Sequence, residues 1–315
     1  MRPTVLVLRA LGLGDAVSGV APLRGVRRAW PSGCIVLAAP EATGGWLRRL
    51  GLVDEVLPTT GLSRLQWSGR DGPAVAVNLH GRGPHSHQNL QATRPGRLVG
   101  FRCPGAGFDD GPAWRPDEHE VERWCRLVRG AGGPCGPEDL RLPPRRGVRG
   151  RYVVVHPGAA AASRRWPAAR WASVVDALIR RGVDVVVTGT TGERGLCARV
   201  AGGARDVSGT LGLDDLADLV AGAMLVLCAD TGVGHLATAY ATPSVLLFGP
   251  TPPAWWGPAI DPELHVVLWH GDSSSPSAGD PHASALDPIL EQIEVDEVLD
   301  AADRMLEDGV LRRPA

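Results

Sequence analysis

The segment from Leu225 to Tyr240 constrains the fold of this chain more than any other. Five apolar residues, Leu225 to Ala229, predict a buried parallel strand, and the turn Asp230–Gly234 leads into a helix. Such a helix presents unpaired backbone N–H groups and its positive dipole end at the carboxyl edge of the sheet, where open α/β sheets bind ligands. The segment therefore predicts a site for a diphosphate, although Asp230 acting only as a helix cap explains the same pattern.

The same strand, turn and helix pattern recurs along the 315 residues. Strands are predicted over residues 4–8, 34–38, 55–57, 74–79, 152–155, 183–187, 225–229 and 244–248, with amphipathic helices between most of them. The first of these helices carries Val17, Val20, Leu23 and Val26 on one face. This alternation predicts parallel sheets joined by right-handed crossovers. Residues 82–117 show no such pattern and are expected to form loops.

The length of the chain favours more than one domain, because a single core rarely grows to this size. A segment rich in proline, glycine and arginine, residues 134–150, is the best candidate linker. We therefore expect one domain over residues 1–148 and a second over 149–290, followed by a C-terminal helical segment, 291–315, that packs back toward the first domain.

The charge of the chain is balanced, with a net charge of −1 and a pI near 6.8. This balance excludes a general attraction to nucleic acid or to anionic lipid. All 33 basic residues are arginine, so every cationic contact to a phosphate must come from a guanidinium, whose planar fork suits that task. Any recognition of an anion must therefore be local.

Cysteine usage and hydropathy suggest a cytoplasmic protein. The six cysteines are scattered without a Cys-x-x-Cys pair, which indicates neither a disulfide framework nor a zinc site. The sequence shows neither a signal peptide nor an apolar run of about 18 residues, so we expect no transmembrane segment.

Three further junctions between strand and helix carry polar residues. Gly12-Leu-Gly14-Asp15 is a poor dinucleotide fingerprint, because the third glycine and the acidic residue of the second strand are absent. Asp15 can act there as a general base facing a sugar, or simply cap the helix. At the second junction Ser163 and Arg164 suit phosphate oxygens, with solvated arginines as the alternative. At the third, Thr188, Gly189 and Glu193 suit a nucleotide ribose, although Glu193 also satisfies the helix dipole by itself.

The order of motifs resembles glycosyltransferase family 9, the bacterial heptosyltransferase group, over nearly the whole chain. The matching pieces are Leu11-Gly-Leu-Gly-Asp15, Asn78-Leu-His-Gly-Arg82, His156-Pro-Gly158 with Arg165-Trp-Pro167, Asp230-Thr-Gly232 with His235-Leu-Ala237, and Phe248-Gly-Pro-Thr251 with Trp256-Gly-Pro258. The resemblance implies the GT-B fold, in which two Rossmann-like α/β domains face a central cleft. It also implies inverting, metal-independent transfer of a sugar, with no cofactor beyond the nucleotide-sugar donor.

The resemblance assigns roles to individual residues. Asp15 is the general base. The donor site comprises Ser163, Arg164, Thr188, Gly189, Glu193, Asp230, Thr231, Gly232 and His235. Gly14, His80 and Arg82 lie on the acceptor side.

One departure concerns the donor phosphates. Relatives that act on lipopolysaccharide typically carry a lysine where this chain has Arg164, so charge is kept while geometry changes. Together with the absence of lysine, this favours an acceptor from secondary metabolism or a cell-surface glycan. The alternatives are a nucleotide-sugar epimerase or hydrolase, which would release free sugar or an epimer without an acceptor, and a non-catalytic nucleotide-sugar-binding protein.

Overall fold

The computed structural model describes residues 2–67, 69, 71–145, 150–274 and 279–311, and the side chains up to residue 307. The chain divides into two compact units, Met1–Leu140 and Arg141–Ala315. The predicted domain boundary between residues 148 and 149 lies outside the described residues. Among those residues, no helix is both long and apolar enough to cross a membrane.

Unit 1 is built on one parallel sheet. In its described residues the strands are β1 (Thr4–Leu8), β2 (Cys34–Ala39), β3 (Glu55–Pro58), β4 (Val75–Asn78) and β5 (Arg97–Val99), in the order β3-β2-β1-β4-β5. Strand β1 is central and pairs in parallel with β2 and β4. Because β1 is covered on both faces, its last four residues are fully buried, as the continuous apolar run predicted.

Five α-helices follow these strands in the described part of unit 1: α1 (Leu13–Ser18), α2 (Val20–Ala29), α3 (Glu41–Arg49), α4 (His85–Gln91) and α5 (Glu120–Gly130). The prediction of one helix carrying Val17 to Val26 was wrong, because Gly19 separates α1 from α2. A side chain on Gly19 would meet the side chain of Arg9 at 2.9 Å.

The prediction of loops over residues 82–117 was also wrong in part. Helix α4 and the edge strand β5 lie within this segment. Helix α4 has no apolar periodicity, because two of its buried residues, Ser86 and His87, are polar and bond to Asn78. Tertiary hydrogen bonds stabilise this helix in place of an apolar face.

Unit 2 has a second parallel sheet. Its described strands are β6 (Tyr152–His156), β7 (Asp184–Val187), β8 (Arg205–Asp206), β9 (Leu225–Ala229), β10 (Ser244–Leu247) and β11 (His265–Leu268), in the order β11-β10-β9-β6-β7-β8. Strand β11 was not predicted, since only its first residue is buried. Strand β9, predicted as buried on both faces, is fully buried between β6 and β10.

The helices of unit 2 cover this sheet. In the described residues they are α6 (Ala168–Arg180), α7 (Arg194–Ala201), α8 (Leu213–Gly222), α9 (Gly232–Ala239), α10 (Pro253–Trp256), α11 (Pro288–Glu291) and α12 (Val295–Leu311). Helix α12 packs against α6 and the strands β9, β10 and β11. Its buried residues Val298, Ala301 and Ala302 belong to the same apolar core as the strands, so the end of the chain stabilises unit 2.

Candidate functional site

The first predicted junction, at the end of β1, leads into α1 through Gly12. Asp15 lies in the first turn of α1, and its side chain is 26% exposed. The backbone N–H groups of Gly12 and Asp15 lower the pKa of the Asp15 carboxyl. The N-cap of α1 is Gly12, with no side-chain hydrogen bond at this cap, so Asp15 is not the N-cap of the helix, and part of its carboxylate is open to solvent.

Beneath this carboxylate lies Arg9, whose side chain is 1% exposed. Its Nε donates to the Asp15 carbonyl oxygen at 2.5 Å, and its Nη1 donates to the Leu79 carbonyl oxygen at 2.5 Å. Its Nη2 donates to the Ser18 hydroxyl at 2.8 Å and lies 3.6 Å from Asp15 Oδ1. The guanidinium thus links the end of β1 to α1 and to the end of β4.

Sequence analysis missed Arg9 and its partners. Glu120, at the start of α5, accepts from Arg9 Nη2 at 3.3 Å and from Trp124 Nε1 at 2.5 Å, both through Oε1. Its Oε2 accepts from Arg123 Nη1 at 2.5 Å. We call Arg9, Glu120 and Arg123 the buried charge cluster, since all three side chains are at least 93% buried. No local sequence signal pointed to this cluster, because Arg9 and Glu120, which are bonded to each other, lie 111 positions apart in the chain.

The electrostatics of Asp15 follow from this surrounding. Burial raises the pKa of the Asp15 carboxyl above its ordinary value, the Arg9 charge lowers it, and the Glu120 charge raises it again. A carboxylate with a raised pKa is a better proton acceptor than one exposed to solvent. The chemistry available to Asp15 is therefore that of a general base.

The predicted acceptor-side residues belong to unit 1 as well. Gly14 lies in the first turn of α1, Arg82 is exposed, and His80 is partly buried at the end of β4. Nδ1 of His80 accepts from the backbone N–H of Ala10 at 3.1 Å, so the ring proton is on Nε2. Burial and the Arg9 charge lower the pKa of His80 to about 4. His80 is thus a neutral hydrogen-bond donor at physiological pH.

In unit 2, β9 leads into α9 as predicted, but the helix begins at Gly232, inside the predicted turn 230–234. The residue that precedes α9 as its N-cap is Thr231, not Asp230, and no side chain caps this end. The buried Thr231 hydroxyl finds no nitrogen or oxygen partner in the described residues and lies beside the thiol of Cys228. Helix α9 therefore presents its first amides without a side-chain cap.

Ser163 and Arg164 form a short 3₁₀ helix, Ala162–Arg164, after β6. Nη1 of Arg164 lies 3.3 Å from the Asp230 carbonyl oxygen and 3.7 Å from Asp230 Oδ2. The Arg164 side chain is 19% exposed, which argues against the alternative of a solvated arginine. Ser163 Oγ and Arg164 Nε are buried and have no hydrogen-bond partner in the described part of the chain. Two donors thus remain without a partner in the described residues, one of them on the arginine that contacts Asp230, an arrangement that costs free energy unless an acceptor binds.

A cavity of about 260 Å³ opens at the carboxyl ends of β6 and β7. Its lining includes the predicted residues Thr188 and Gly189. The other lining residues are the polar His156, Thr190 and Thr191, the apolar Leu211 and Leu216, and Gly209. His156 Nδ1 lies 3.0 Å from the Thr188 hydroxyl, and burial lowers the His156 pKa. Gly189 also has a packing role, because a side chain there would meet Cys197 Sγ at 2.5 Å.

Glu193 lies next to this cavity. Its Oε2 accepts from the Thr190 backbone N–H and hydroxyl, both at 2.8 Å, and so closes a capping box. Oε2 therefore serves the start of the helix, as the alternative to a ribose contact expected. The other oxygen, Oε1, points toward Gly158.

His235 and Gly232 lie in the first turn of α9. The His235 ring packs edge to face against Trp256 at 5.8 Å. His235 and Trp256 line a small pocket together with Asp230, Thr231, Gly257 and Pro258. The structure thus groups Asp230, Thr231, Gly232 and His235 at the end of β9, with Arg164 against Asp230. Within the described residues, no group of three or more His, Cys, Asp or Glu side chains has the geometry to hold a metal ion.

The model of "Glycosyltransferase family 9 (heptosyltransferase)" matches residues 113–281, more than half of the chain. Among curated proteins, the lipopolysaccharide heptosyltransferase 1 of Pseudomonas aeruginosa PAO1 is 34% identical over 118 residues, which cover 36% of this chain. The match spans only 33% of the length of that relative.

Solved structures match over the full length. A glycosyltransferase family 9 protein from Veillonella parvula aligns with a TM-score of 0.77 at 18% identity, covering 97% of this chain and 98% of that one. The ADP-heptose LPS heptosyltransferase II of Escherichia coli aligns with a TM-score of 0.76 at 18% identity, covering 98% and 100%. At this identity the likeness shows a shared fold.

Proposed function

The chain belongs to glycosyltransferase family 9 and has the GT-B fold, and we propose that it transfers a heptose or related sugar from an ADP-sugar or another nucleoside diphosphate sugar to an acceptor hydroxyl. Family membership confirms the resemblance found in the five motifs. The similar proteins include a lipopolysaccharide heptosyltransferase 1 and an ADP-heptose LPS heptosyltransferase II, which is why a heptose and ADP are the proposed sugar and nucleotide. The proposed transfer inverts the anomeric carbon and uses no metal.

One observation carries this proposal: within the described residues, the buried hydroxyl of Ser163 and Nε of Arg164 have no hydrogen-bond partner at the carboxyl edge of the unit 2 sheet. Both are donors, and charge-assisted bonds from a guanidinium to phosphate are among the strongest in proteins. The amides at the start of α9 add positive potential from the neighbouring strand end. A diphosphate accepts hydrogen bonds from all of these groups. The same groups stabilise the negative charge that develops on it as it leaves the sugar.

The nucleoside part of the donor fits the cavity at the ends of β6 and β7. Leu211 and Leu216 supply apolar surface for a base, and Thr188 and Thr190 supply hydroxyls. We assign the free oxygen of Glu193, Oε1, to a ribose hydroxyl, since Oε2 is already engaged by Thr190. The absence of a side chain at Gly158 leaves room for the Glu193 carboxylate, and at Gly189 for Cys197 Sγ.

The chemical step assigns the proton to Asp15. The acceptor hydroxyl oxygen forms a bond to the anomeric carbon as its proton passes to the Asp15 carboxylate. The bond from that carbon to the diphosphate oxygen breaks, and its electron pair leaves with the nucleoside diphosphate. The raised pKa of Asp15 suits it to this task.

For the acceptor, the proposal uses Gly14, His80 and Arg82. The Nε2–H of His80 is a donor that stays neutral, and Arg82 is an exposed cation. These groups suit hydroxyl and anionic groups of a glycan or a small molecule. The acceptor class remains part of the proposal.

A thermal-shift screen of ADP-, GDP-, UDP- and TDP-sugars tests the donor site. A ligand at a hundredfold excess over its Kd stabilises the folded protein by about 2.7 kcal/mol. We expect at least one nucleotide sugar to raise the melting temperature of the wild type, and Arg164→Met to abolish the rise. Arg165→Met is the matched control, because the neighbouring Arg165 is exposed and its Nε bonds to the Ala159 carbonyl oxygen.

Other outcomes of this screen and of a transfer assay contradict the proposal. If none of the four donors raises the melting temperature, the diphosphate site is wrong. Steady release of free sugar or of an epimer without an acceptor indicates a hydrolase or an epimerase. Donor binding without any turnover, even to water, indicates a binding protein.

A further inference from the structure

Glu120, at the start of α5, lies in none of the sequence motifs described above. Its carboxylate is buried in unit 1 and contacts two arginines and a tryptophan. A buried carboxylate with these partners has an obvious structural use, since breaking a buried ion pair costs several kcal/mol. Its position relative to Asp15 suggests a second use.

Glu120 and Asp15 both lie close to the same nitrogen of Arg9. Nη2 of Arg9 lies 3.3 Å from Glu120 Oε1 and 3.6 Å from Asp15 Oδ1. The two carboxylates therefore compete for the same end of the guanidinium. With Glu120 ionised, part of the Arg9 charge is compensated before it acts on Asp15.

We propose that Glu120 is a positioning residue that keeps Asp15 basic by drawing the charge of Arg9 away from it. The catalytic meaning of this proposal rests on the proposed function, in which Asp15 accepts a proton. Without Glu120, Arg9 would form an uncompensated ion pair with Asp15 and make it a weaker base. Glu120 itself touches no substrate.

Charge counting supports this arrangement. Arg9, Glu120 and Arg123 together carry one positive charge, which the ionised Asp15 neutralises. When Asp15 takes up a proton, one uncompensated positive charge therefore remains buried. Without the Glu120 carboxylate there would be two, so Glu120 lowers the free-energy cost of protonating Asp15.

Among charged side chains of the described residues, Arg9 and Glu120 have the largest effects on Asp15. Helices α2 and α3 also pack against α1. Their charged residues are Arg24, Arg27, Arg28, Glu41, Arg48 and Arg49. The arginines of α2 bond to the distant residues Gly33, Asp54, Pro134 and Asp139.

The test is a titration of Asp15 in the intact protein by ¹³C NMR of aspartate carboxyl carbons, with the signal assigned by its loss in Asp15→Asn. We expect Glu120→Gln to lower the pKa of Asp15 by about one unit. Glu120→Asp, which keeps the charge but shortens the side chain, should leave the pKa close to that of the wild type.

The pair of variants separates the proposal from a merely structural role. If Glu120 only supports packing, the shorter Asp disturbs Asp15 at least as much as the isosteric Gln, and this order of shifts overturns the proposal. An unchanged pKa in Glu120→Gln overturns it as well. Should the single variant not fold, Glu120→Gln with Arg123→Met keeps the buried charge balanced and carries the same test.

The titration needs no substrate, so it is independent of the transferase assay. A wild type that binds no nucleotide sugar refutes the proposed function while the Asp15 shift still decides the role of Glu120. Where transfer is measured, the acid limb of kcat/KM should move to lower pH in Glu120→Gln by the same amount as the NMR pKa.

Discussion

The carboxylate of Glu193 lies against Gly158, so close that a Cβ on Gly158 would be 2.1 Å from Glu193 Oε1. This contact joins the loop after β6 to the turn after β7, where Thr190 holds the other oxygen of Glu193. It gives a physical reason for the glycine of the His156-Pro-Gly158 motif: any side chain at this position displaces Glu193.

Gly158→Ala should therefore weaken binding of the nucleotide sugar. Displacement of Glu193 removes one hydrogen bond to the proposed ribose, which we expect to raise the donor Kd about tenfold. Isothermal titration with the donor found in the thermal-shift screen measures the change. Gly195→Ala is the matched control, because Gly195 lies in α7 and a Cβ there meets nothing within 4 Å. A donor Kd that is equal in both variants would mean that Glu193 does not bind the nucleotide.

Asp15→Asn should separate chemistry from binding. The amide keeps the shape of the side chain but cannot accept the acceptor proton, so we expect kcat to fall about a hundredfold with the donor Kd nearly unchanged. Asp176→Asn, a change at an exposed ion pair on α6, should leave both values as they are. An equal loss of donor affinity and turnover in Asp15→Asn would assign Asp15 a structural role instead.

The pH dependence of the wild-type reaction follows from the same residue. Because burial raises the pKa of Asp15, the carboxylate required as base is lost at a higher pH than for an exposed aspartate. Activity should therefore decline as the pH falls through this raised pKa. The pKa of His80 is lowered to about 4, so His80 stays neutral above that pH. Its titration should therefore cause no second change in activity near neutral pH.

Ser163→Ala should stabilise the ligand-free protein and weaken donor binding. The Ser163 hydroxyl is buried and has no partner among the residues that the structure describes, so its removal relieves a desolvation cost and should raise the free energy of unfolding by about 1 kcal/mol. If the same hydroxyl donates to a diphosphate, the donor Kd should rise about fivefold. Chemical denaturation and calorimetry measure the two effects.

A second buried serine provides the control for this prediction. Ser244 is fully buried but bonds to His265 at 2.8 Å. Ser244→Ala should lower stability and leave the donor Kd unchanged. Loss of stability in both variants would show that Ser163 is satisfied in solution, for example by water, and would weaken the case for the diphosphate site.

Much of the fold could be predicted, because buried parallel strands are continuous apolar runs and their ends are marked by glycine. Strand β9 and the polar residues after it were found in this way. The predicted donor residues of unit 2 then lie together at strand ends because parallel strands share a carboxyl edge. Their binding roles remain predictions.

What the sequence could not show depends on contacts between distant elements. Arg9 follows β1 and Glu120 begins α5, and neither position has a local signal for burial, since both types are normally exposed. The alternative in which Asp230 caps α9 was wrong for a related reason. Asp230 is a good capping residue in isolation, but Arg164 lies against its side chain, and the helix begins one residue later than a cap at Asp230 requires.

Gly19→Ala tests whether the buried charge cluster depends on the gap between α1 and α2. Gly19 has φ −73° and ψ −13°, a conformation any residue adopts, so alanine is not strained there by its backbone. The added Cβ would instead lie 2.9 Å from Cδ and Nε of Arg9. Because this guanidinium is held by several hydrogen bonds, it cannot move without breaking some of them, and we expect a loss of about 1–3 kcal/mol in the free energy of unfolding.

The control for Gly19→Ala is Gly130→Ala at the exposed end of α5, where a Cβ meets nothing within 4 Å. Alanine there should be neutral or slightly stabilising, since glycine in a helix costs up to about 1 kcal/mol relative to alanine. If Gly19→Ala is equally well tolerated, the Arg9 side chain has room to move. Arg9 would then not hold the Asp15 carbonyl in one position, and the rigid placement of Asp15 over the cluster would have to be abandoned.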